Sequence, residues 1–203
     1  MEFQLNIGVS GRHLHLSREH MDILFGKDSE LHVYKDIEQP GQFAAEEHVT
    51  LATYKGSLSL RVIGPLRANT QVELSYSDAR HVGLKAPLHK SGDLVGTPGA
   101  TLIGPCGQVD LQEGIIVSAR HLHLSVITAN RYGLKKGDIV KARIEGERAL
   151  VFENVLVKTG NHHRDELQID TDEANACGVQ TGDKATIQYE VAPLGKTYAQ
   201  PIK

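Results

Sequence analysis

A nine-residue segment occurs twice in this chain of 203 residues. Residues 9–17 read VSGRHLHLS and residues 117–125, which start 108 positions later, read VSARHLHLS, so eight of the nine positions are identical. A repeat at about half the chain length indicates two related units in tandem. A turn-rich stretch, 96–107, precedes the second copy. We therefore predict a first domain over residues 1–112, a second over 113–190 and a C-terminal tail over 191–203.

A weaker pattern occurs three times and combines a short helical run, a glycine and then a Gly-Asp pair. A glycine just after a helix accepts the left-handed conformation that closes it, and Gly-Asp favours a turn. We expect each copy to form a short helix followed by a turn that leads into a strand. The helical runs are 78–84, 128–134 and 172–179, and the pairs are Gly92-Asp93, Gly137-Asp138 and Gly182-Asp183.

Short alternating segments elsewhere predict strands separated by Gly and Pro turns. These segments are 47–53, 58–63, 70–75, 139–144 and 148–157. Short strands with short helices favour small barrels, because closure removes exposed sheet edges. The helix, turn and strand units resemble those of cradle-loop and double-psi barrels. We predict a mainly β fold of two tandem small β-barrel domains with short capping helices.

Charge and aromatic content exclude some partners. The chain has 22 Lys and Arg against 25 Asp and Glu, a net charge of −3, and it contains no Trp. A slightly acidic chain with few aromatics offers no broad basic face or stacking platform, so neither nucleic acid nor an anionic membrane is expected as a partner.

The sequence also predicts a cytoplasmic location. The first seven residues lack the basic and apolar regions of a secretory signal. The longest uncharged run, 94–109, contains four Gly and two Pro, and it is too short to cross a bilayer as a helix. Two isolated cysteines, Cys106 and Cys177, suit a reducing compartment and are expected to be small apolar fillers.

The histidines of the repeat are the candidate ligands of a metal. In a strand, alternation places His13 and His15 on one face and Leu14 and Leu16 on the other, and the second copy repeats this order. A single His-x-His is more often a solvated strand edge. Its duplication within otherwise diverged halves favours metal binding, with Zn²⁺, Co²⁺ or Fe²⁺ compatible with imidazole ligands.

Each pair needs further ligands, and the sequence alone leaves them open. Candidate carboxylates in strands are Glu46, Glu47 and Glu73, and the remaining histidines are His20, His32, His48, His81, His89, His162 and His163. Each of these seven histidines is individually expected to be an ordinary surface or hydrogen-bonding residue. Arginines beside the pairs, Arg12 and Arg120, and Arg67 at a Gly-Pro turn are candidates for binding an anion.

Several segments in order resemble the PduL-type phosphate acyltransferases, the phosphate propanoyltransferases of bacterial microcompartments that degrade propanediol. The resemblance covers about residues 8–187 and is carried by 9–17, 39–46, 64–67, 70–73, 86–88, 114–124 and 169–176. It implies transfer of a short acyl group, propanoyl or acetyl, between CoA and phosphate at a two-zinc site.

The resemblance also assigns residues to roles. One zinc would be held by His13, His15 and Glu73, and the other by His121 and His123. The phosphate would be bound by Arg67. Where the family has a histidine as the third ligand of the second zinc, this chain has Gln168. Three outcomes stay open: weaker binding of the second metal, ligation by Gln168 through its oxygen or a water, or ligation by His162 or His163.

The expected reaction is direct attack of phosphate on the thioester, without an acyl-enzyme. Two alternatives remain: a dinuclear metal-dependent thioester hydrolase that uses the same ligands, and a non-enzymatic, microcompartment-associated metal-binding module. By analogy a homodimer and contacts with microcompartment lumen proteins are expected. Microcompartment-targeted members carry an amphipathic N-terminal extension, whereas seven residues precede Gly8 here, so targeting of that kind is not expected.

Overall fold

The computed structural model of the chain describes residues 1–190, and the predicted tail 191–203 lies outside the described residues. The described residues contain fifteen strands: β1 (Glu2–Ser10), β2 (His13–His15), β3 (Val33–Asp36), β4 (Phe43–Ala52), β5 (Ser57–Gly64), β6 (Gln71–Leu74), β7 (Leu88–His89), β8 (Ala100–Ile103), β9 (Gln108–Leu111), β10 (Ile115–Ser118), β11 (His121–Ser125), β12 (Ile139–Ile144), β13 (Leu150–Gly160), β14 (Glu166–Asp170) and β15 (Lys184–Gln188). They also contain four short helices: α1 (Arg18–Phe25), α2 (Tyr76–His81), α3 (Val126–Tyr132) and α4 (Thr171–Cys177).

The chain forms two compact units. The first, here called the barrel unit, combines Met1–Val9 with the chain from Arg120 onward. Its strands close into a barrel in the order β1-β14-β11-β13-β12-β15, and β15 pairs back onto β1 from Glu2↔Gln188 to Asn6↔Lys184. Apolar side chains from every strand fill the barrel, including Ile7, Leu122 and Leu124.

The N-terminal strand therefore completes the barrel that the C-terminal half builds. The sequence prediction placed residues 1–112 together, whereas the compact units divide near residues 9 and 119. The physical reason is strand pairing, because the backbone of β1 forms hydrogen bonds with β14 and β15. Local sequence patterns do not specify which strands pair.

The second unit, here called the sheet unit, comprises Ser10–Ala119. It contains a nine-stranded sheet in the order β7-β10-β6-β2-β5-β4-β8-β9, with β3 paired to β4. The predicted mainly β class with short helices is confirmed, with one closed barrel and one half-barrel sheet. The sheet unit has its own apolar core, which includes Leu14, Leu16, Leu60 and Val62.

Three of the helices lie where the weaker repeat predicts them. Helices α2, α3 and α4 begin after Ser75, Ser125 and Asp170, whose side chains accept a hydrogen bond from the third residue of the helix. Glycine closes α3 and α4 in the left-handed conformation, with φ of 66° at Gly133 and 71° at Gly178.

One of the three predicted Gly-Asp turns does not lead directly into a strand. Gly137-Asp138 and Gly182-Asp183 precede β12 and β15, but after Gly92-Asp93 the next strand is β8. Instead, the backbone N–H of Gly92 donates to Gln71 Oε1 at 2.7 Å. The loop around Gly92 is therefore held against β6.

Candidate functional site

The first histidine pair lies on the polar face of β2. Leu14 and Leu16 are fully buried in the core of the sheet unit, as the alternation predicted. Antiparallel pairing with β6 places Glu73 opposite His13 and Gln71 opposite His15. Side chains that are directly opposite in an antiparallel pair share one face of the sheet. One short stretch of sheet therefore presents two imidazoles, a carboxylate and an amide together.

Backbone carbonyls orient both imidazoles of this pair. His13 Nδ1 lies 2.8 Å from the carbonyl oxygen of Gly11, and His15 Nδ1 lies 3.0 Å from that of Ile63. A carbonyl oxygen can only accept, so each Nδ1 donates, and in this tautomer the lone pair lies on Nε2. Metal-ligating histidines are held in this way.

The charge state of His15 also suits a metal ligand. Burial, together with the neighbouring His13 and Arg67, lowers the pKa of His15 to about 3. The ring is therefore neutral at physiological pH, which is the form that binds a metal.

Three potential ligand atoms converge at this pair. One atom each from His13, His15 and Glu73 lie within 4.8 Å of one another, and His13 Nε2 is 3.8 Å from Glu73 Oε2. Among residues 1–190, no other three His, Cys, Asp or Glu residues meet this spacing. Two imidazole nitrogens and one carboxylate form a ligand set typical of a catalytic zinc site with an open position. The residues therefore fit the metal that the sequence predicts.

A hydrogen-bonded chain fixes the carboxylate of this set. Gln71 Nε2 donates to Glu73 Oε1 at 2.5 Å and lies 2.8 Å from Ser91 Oγ. Gln71 was missed in the sequence analysis, although its position two residues before Glu73 places it on the same face of β6. Ser91 was also missed, because it lies in a loop without a periodic pattern.

Arg67 lies beside this cluster. Its backbone N–H donates to the carbonyl of Leu16 at 2.8 Å, and its Nη1 donates to Ser91 Oγ at 3.2 Å. Burial lowers the pKa of Arg67, while the charge of Glu73 opposes this shift. A guanidinium remains charged under such conditions. A partly buried cation therefore lies next to the three converging ligands, where it can bind an anion.

The two arginines of the repeat are neutralised within their own units. Arg12 Nη1 is 2.9 Å from Asp78 Oδ1, and Arg120 Nη1 is 2.9 Å from Glu173 Oε1. Both carboxylates occupy the third position of a helix, so the two ion pairs are equivalent in the repeat. These arginines are consequently less suited to bind an anion than Arg67, whose side chain donates to the uncharged Ser91.

The second histidine pair lies on β11 in the barrel unit. The Nε2 atoms of His121 and His123 are 3.0 Å apart, and β14 places Gln168 opposite His121 and Glu166 opposite His123. The amide of Gln168 donates to Oε2 of Glu166. Burial is the main cause that lowers the pKa of His123, so this ring is also neutral.

Most of the remaining histidines form hydrogen bonds with groups other than the paired histidines. His20 binds Thr70, His32 binds Glu47, His48 binds the carbonyl of Glu46, and His89 binds that of Asp93. The exception is His163, whose ring packs against His123 with centroids 4.6 Å apart. His81 and His162 are exposed, and so is the thiol of Cys106, whereas Cys177 is buried.

No helix within residues 1–190 has the length and apolar character needed to cross a membrane.

Comparison with known proteins places these residues in a family. The model of the phosphate propanoyltransferase family matches residues 6–180. A phosphate propanoyltransferase of Rhodopseudomonas palustris (strain BisB18) is 50% identical over 186 residues, which is 91% of this chain and 82% of the relative. Proteins with the same name from Thermotoga maritima and Shewanella putrefaciens are 47% and 46% identical, each over 87% of this chain and 85% and 84% of their own lengths. The chain therefore belongs to the phosphate propanoyltransferase family.

Proposed function

We propose that this protein transfers a short acyl group, propanoyl or acetyl, between CoA and inorganic phosphate, giving an acyl phosphate and free CoA. The observation that carries this proposal is the position of Arg67 beside His13, His15 and Glu73. A cation for phosphate and a ligand set for a Lewis acid thus lie in one cluster. The names of the relatives support an acyltransferase that uses phosphate.

Arg67 binds and orients the phosphate. Its planar guanidinium can donate to two phosphate oxygens at once, and the hydrogen bond to Ser91 holds the guanidinium in place. Partial burial strengthens this interaction because fewer waters compete for the anion. A phosphate held in this way is already an anionic nucleophile at neutral pH, so its attack needs no general base.

The reaction needs no covalent enzyme intermediate. A phosphate oxygen forms a bond to the thioester carbonyl carbon, the C–S bond breaks, and CoA leaves as a thiolate with the electron pair. A zinc ion held by His13, His15 and Glu73 would supply Lewis acidity for the carbonyl oxygen and for the departing sulfur. Gln71 keeps the Glu73 carboxylate oriented toward these ligands.

A second zinc is proposed at His121 and His123 in the barrel unit. Their Nε2 atoms already approach each other within 3.0 Å, although Gln168 uses its amide to donate to Glu166. Residence in a bacterial microcompartment that degrades propanediol and a homodimeric state also remain predictions from the resemblance.

The experiment that tests the function measures the products with and without phosphate. Purified protein with propanoyl-CoA or acetyl-CoA should release thiol only when phosphate is present, and hydroxylamine should trap the acyl phosphate as a hydroxamate. A thioester hydrolase would instead release thiol equally well without phosphate. A non-enzymatic metal-binding module would release none.

The matched variants are Arg67→Ala and Arg143→Ala. Arg143 is exposed and pairs with Glu145 in the barrel unit, so its removal should leave transfer unchanged. Loss of the Arg67 guanidinium should weaken transfer by about tenfold or more at low phosphate, since a charge-assisted hydrogen bond contributes roughly 1.5–3 kcal/mol. Equal rates for Arg67→Ala and wild type would remove the proposed role of Arg67.

A further inference from the structure

The loop before β14 brings a third imidazole to the second histidine pair. His163 follows the end of β13, and its backbone N–H donates to the carbonyl of Gly160 at 3.3 Å. Its ring lies against the backbone of Gly160, where a Cβ in place of the glycine hydrogen would be 3.1 Å from the imidazole. The lack of a side chain at Gly160 therefore lets His163 lie close to the strand end.

The three rings form a row. The centroids of His121 and His123 are 4.7 Å apart with an interplanar angle of 81°, and those of His123 and His163 are 4.6 Å apart with the same angle. His162, the neighbour in sequence, is exposed. Of the two loop histidines, His163 is thus the one that the fold places at the pair.

Two nitrogens of this row are buried without a hydrogen-bond partner among the described residues. They are the Nδ1 atoms of His123 and His163. In the sheet unit, by contrast, the Nδ1 atoms of His13 and His15 both have carbonyl partners. A buried polar atom without a partner destabilises the folded state because it has lost its hydrogen bonds to water. Two such atoms lie in adjacent rings, so the described protein groups do not satisfy the polar atoms of this row.

Gln168 is poorly suited to serve as the third ligand. Its register position opposite His121 corresponds to that of Glu73 opposite His13, yet its amide donates to Glu166. An amide is neutral and has weaker donor atoms for zinc than an imidazole nitrogen. The imidazole of His163 is therefore the better ligand within reach of the pair.

We propose that His121, His123 and His163 together hold the second divalent metal of the chain, a zinc-type ion. As they stand, the nitrogens of the three rings do not converge as those of the first cluster do, so binding of the ion requires the His163 side chain to rotate toward the other two. Gln168 and Glu166 stay hydrogen-bonded to each other beside this site. The inference rests on the second metal of the proposed function and names its ligands.

With three neutral imidazoles at the second site, the two metal sites differ in the charge of their ligands. The first set includes the carboxylate of Glu73, which adds a negative charge toward a divalent cation, and the second set carries no charge. We therefore expect a chelator to remove the second metal before the first.

Metal analysis of the full chain tests the ligand set without reference to activity. After dialysis against zinc-free buffer, wild type should retain about two zinc ions per chain, and His163→Ala should retain about one. His162→Ala is the matched control and should keep both ions, as should Gln168→Ala. Full zinc content in His163→Ala, or loss of an ion in Gln168→Ala but not in His163→Ala, would overturn the proposal.

A variant that lacks the first metal site shows whether the ion is lost from the second site. In a His13→Ala, His15→Ala variant, competition with a chromogenic chelator measures the zinc affinity of the barrel unit alone. Addition of His163→Ala should weaken this affinity at least about tenfold, and His163→Asn should do the same if the Ala variant is unfolded by circular dichroism. An unchanged affinity would contradict ligation by His163. Absence of acyl phosphate formation in wild type would overturn the proposed function and leave the zinc counts valid.

Discussion

The side-chain amide of Gln168 donates to the carboxylate of Glu166. The same interaction joins Gln71 to Glu73 in the sheet unit at 2.5 Å, but the two residue types have exchanged positions. The carboxylate is opposite the first histidine of the pair in the sheet unit and opposite the second in the barrel unit. Two repeats with identical His-Leu-His segments thus differ in the charge that faces each imidazole.

Glu73→Gln tests whether this charge is needed for the first metal. The substitution keeps the shape of the side chain but removes the anionic oxygen that lies 3.8 Å from His13 Nε2. We expect the zinc affinity of this site to fall at least about tenfold and acyl transfer to fall with it. The measurement is zinc competition together with acyl phosphate formation.

The control for this prediction is Glu153→Gln. Glu153 is exposed and pairs with Lys141 in the barrel unit, so zinc content and transfer should match wild type. A Glu73→Gln protein with wild-type zinc affinity would show that the carboxylate is not a ligand.

Ser91→Ala should separate phosphate binding from metal binding. Ser91 Oγ accepts from Arg67 Nη1 at 3.2 Å and lies 2.8 Å from Gln71 Nε2, so it holds the guanidinium beside the metal ligands. Loss of the Ser91 hydroxyl removes one hydrogen bond of roughly 1 kcal/mol from Arg67 and one from Gln71. We expect the KM for phosphate to rise about threefold to tenfold while zinc content stays unchanged. Ser59→Ala, an exposed position on β5, is the control, and an equal KM in both variants would contradict a positioning role.

Gly8→Ala should destabilise the barrel unit. A Cβ at Gly8 would clash with Gln168 Nε2 and lie 2.5 Å from Glu166 Oε1, and Glu166 is 2% exposed and has little room to move. Overpacking of this kind costs typically about 1–3 kcal/mol. Gly11→Ala is the matched control, because nothing lies within 4 Å of its Cβ position. Urea denaturation of the two variants should therefore differ, and equal midpoints would show that the Gln168–Glu166 pair can shift freely.

Local sequence patterns were sufficient for several of the strands but not for their partners. The predicted strand 139–144 coincides with β12, and the burial of Leu14 and Leu16 follows from alternation alone. The pairing of β1 with β15 joins residues more than 170 positions apart, and no local pattern encodes it. Similarly, Ser91 and His163 reach their sites through loops, and their roles depend on where the fold places those loops.

The metal-free protein should lose stability as the pH falls below about 6.5. Burial holds the pKa of His15 at about 3, below its ordinary value of 6.5. Between these values the unfolded chain binds a proton at this position and the folded chain does not, so acid favours unfolding and the stabilisation is present above pH 6.5. Denaturant midpoints of EDTA-treated protein from pH 8 to pH 4 measure the slope. His15→Gln should show a shallower pH dependence, whatever its absolute stability, and an identical slope would contradict the lowered pKa.

The two thiols should differ in reactivity. Cys106 is exposed, whereas Cys177 is 3% exposed at the end of α4, and burial raises the pKa of its thiol. Since the thiolate is the reactive form, an aromatic disulfide reagent at pH 7.5 should modify about one thiol in the native protein and about two after denaturation. Cys106→Ser should abolish the native reaction and leave acyl transfer unchanged, because phosphate attacks the thioester directly. Loss of transfer in Cys106→Ser, or a trapped acyl group on either cysteine, would contradict the direct mechanism.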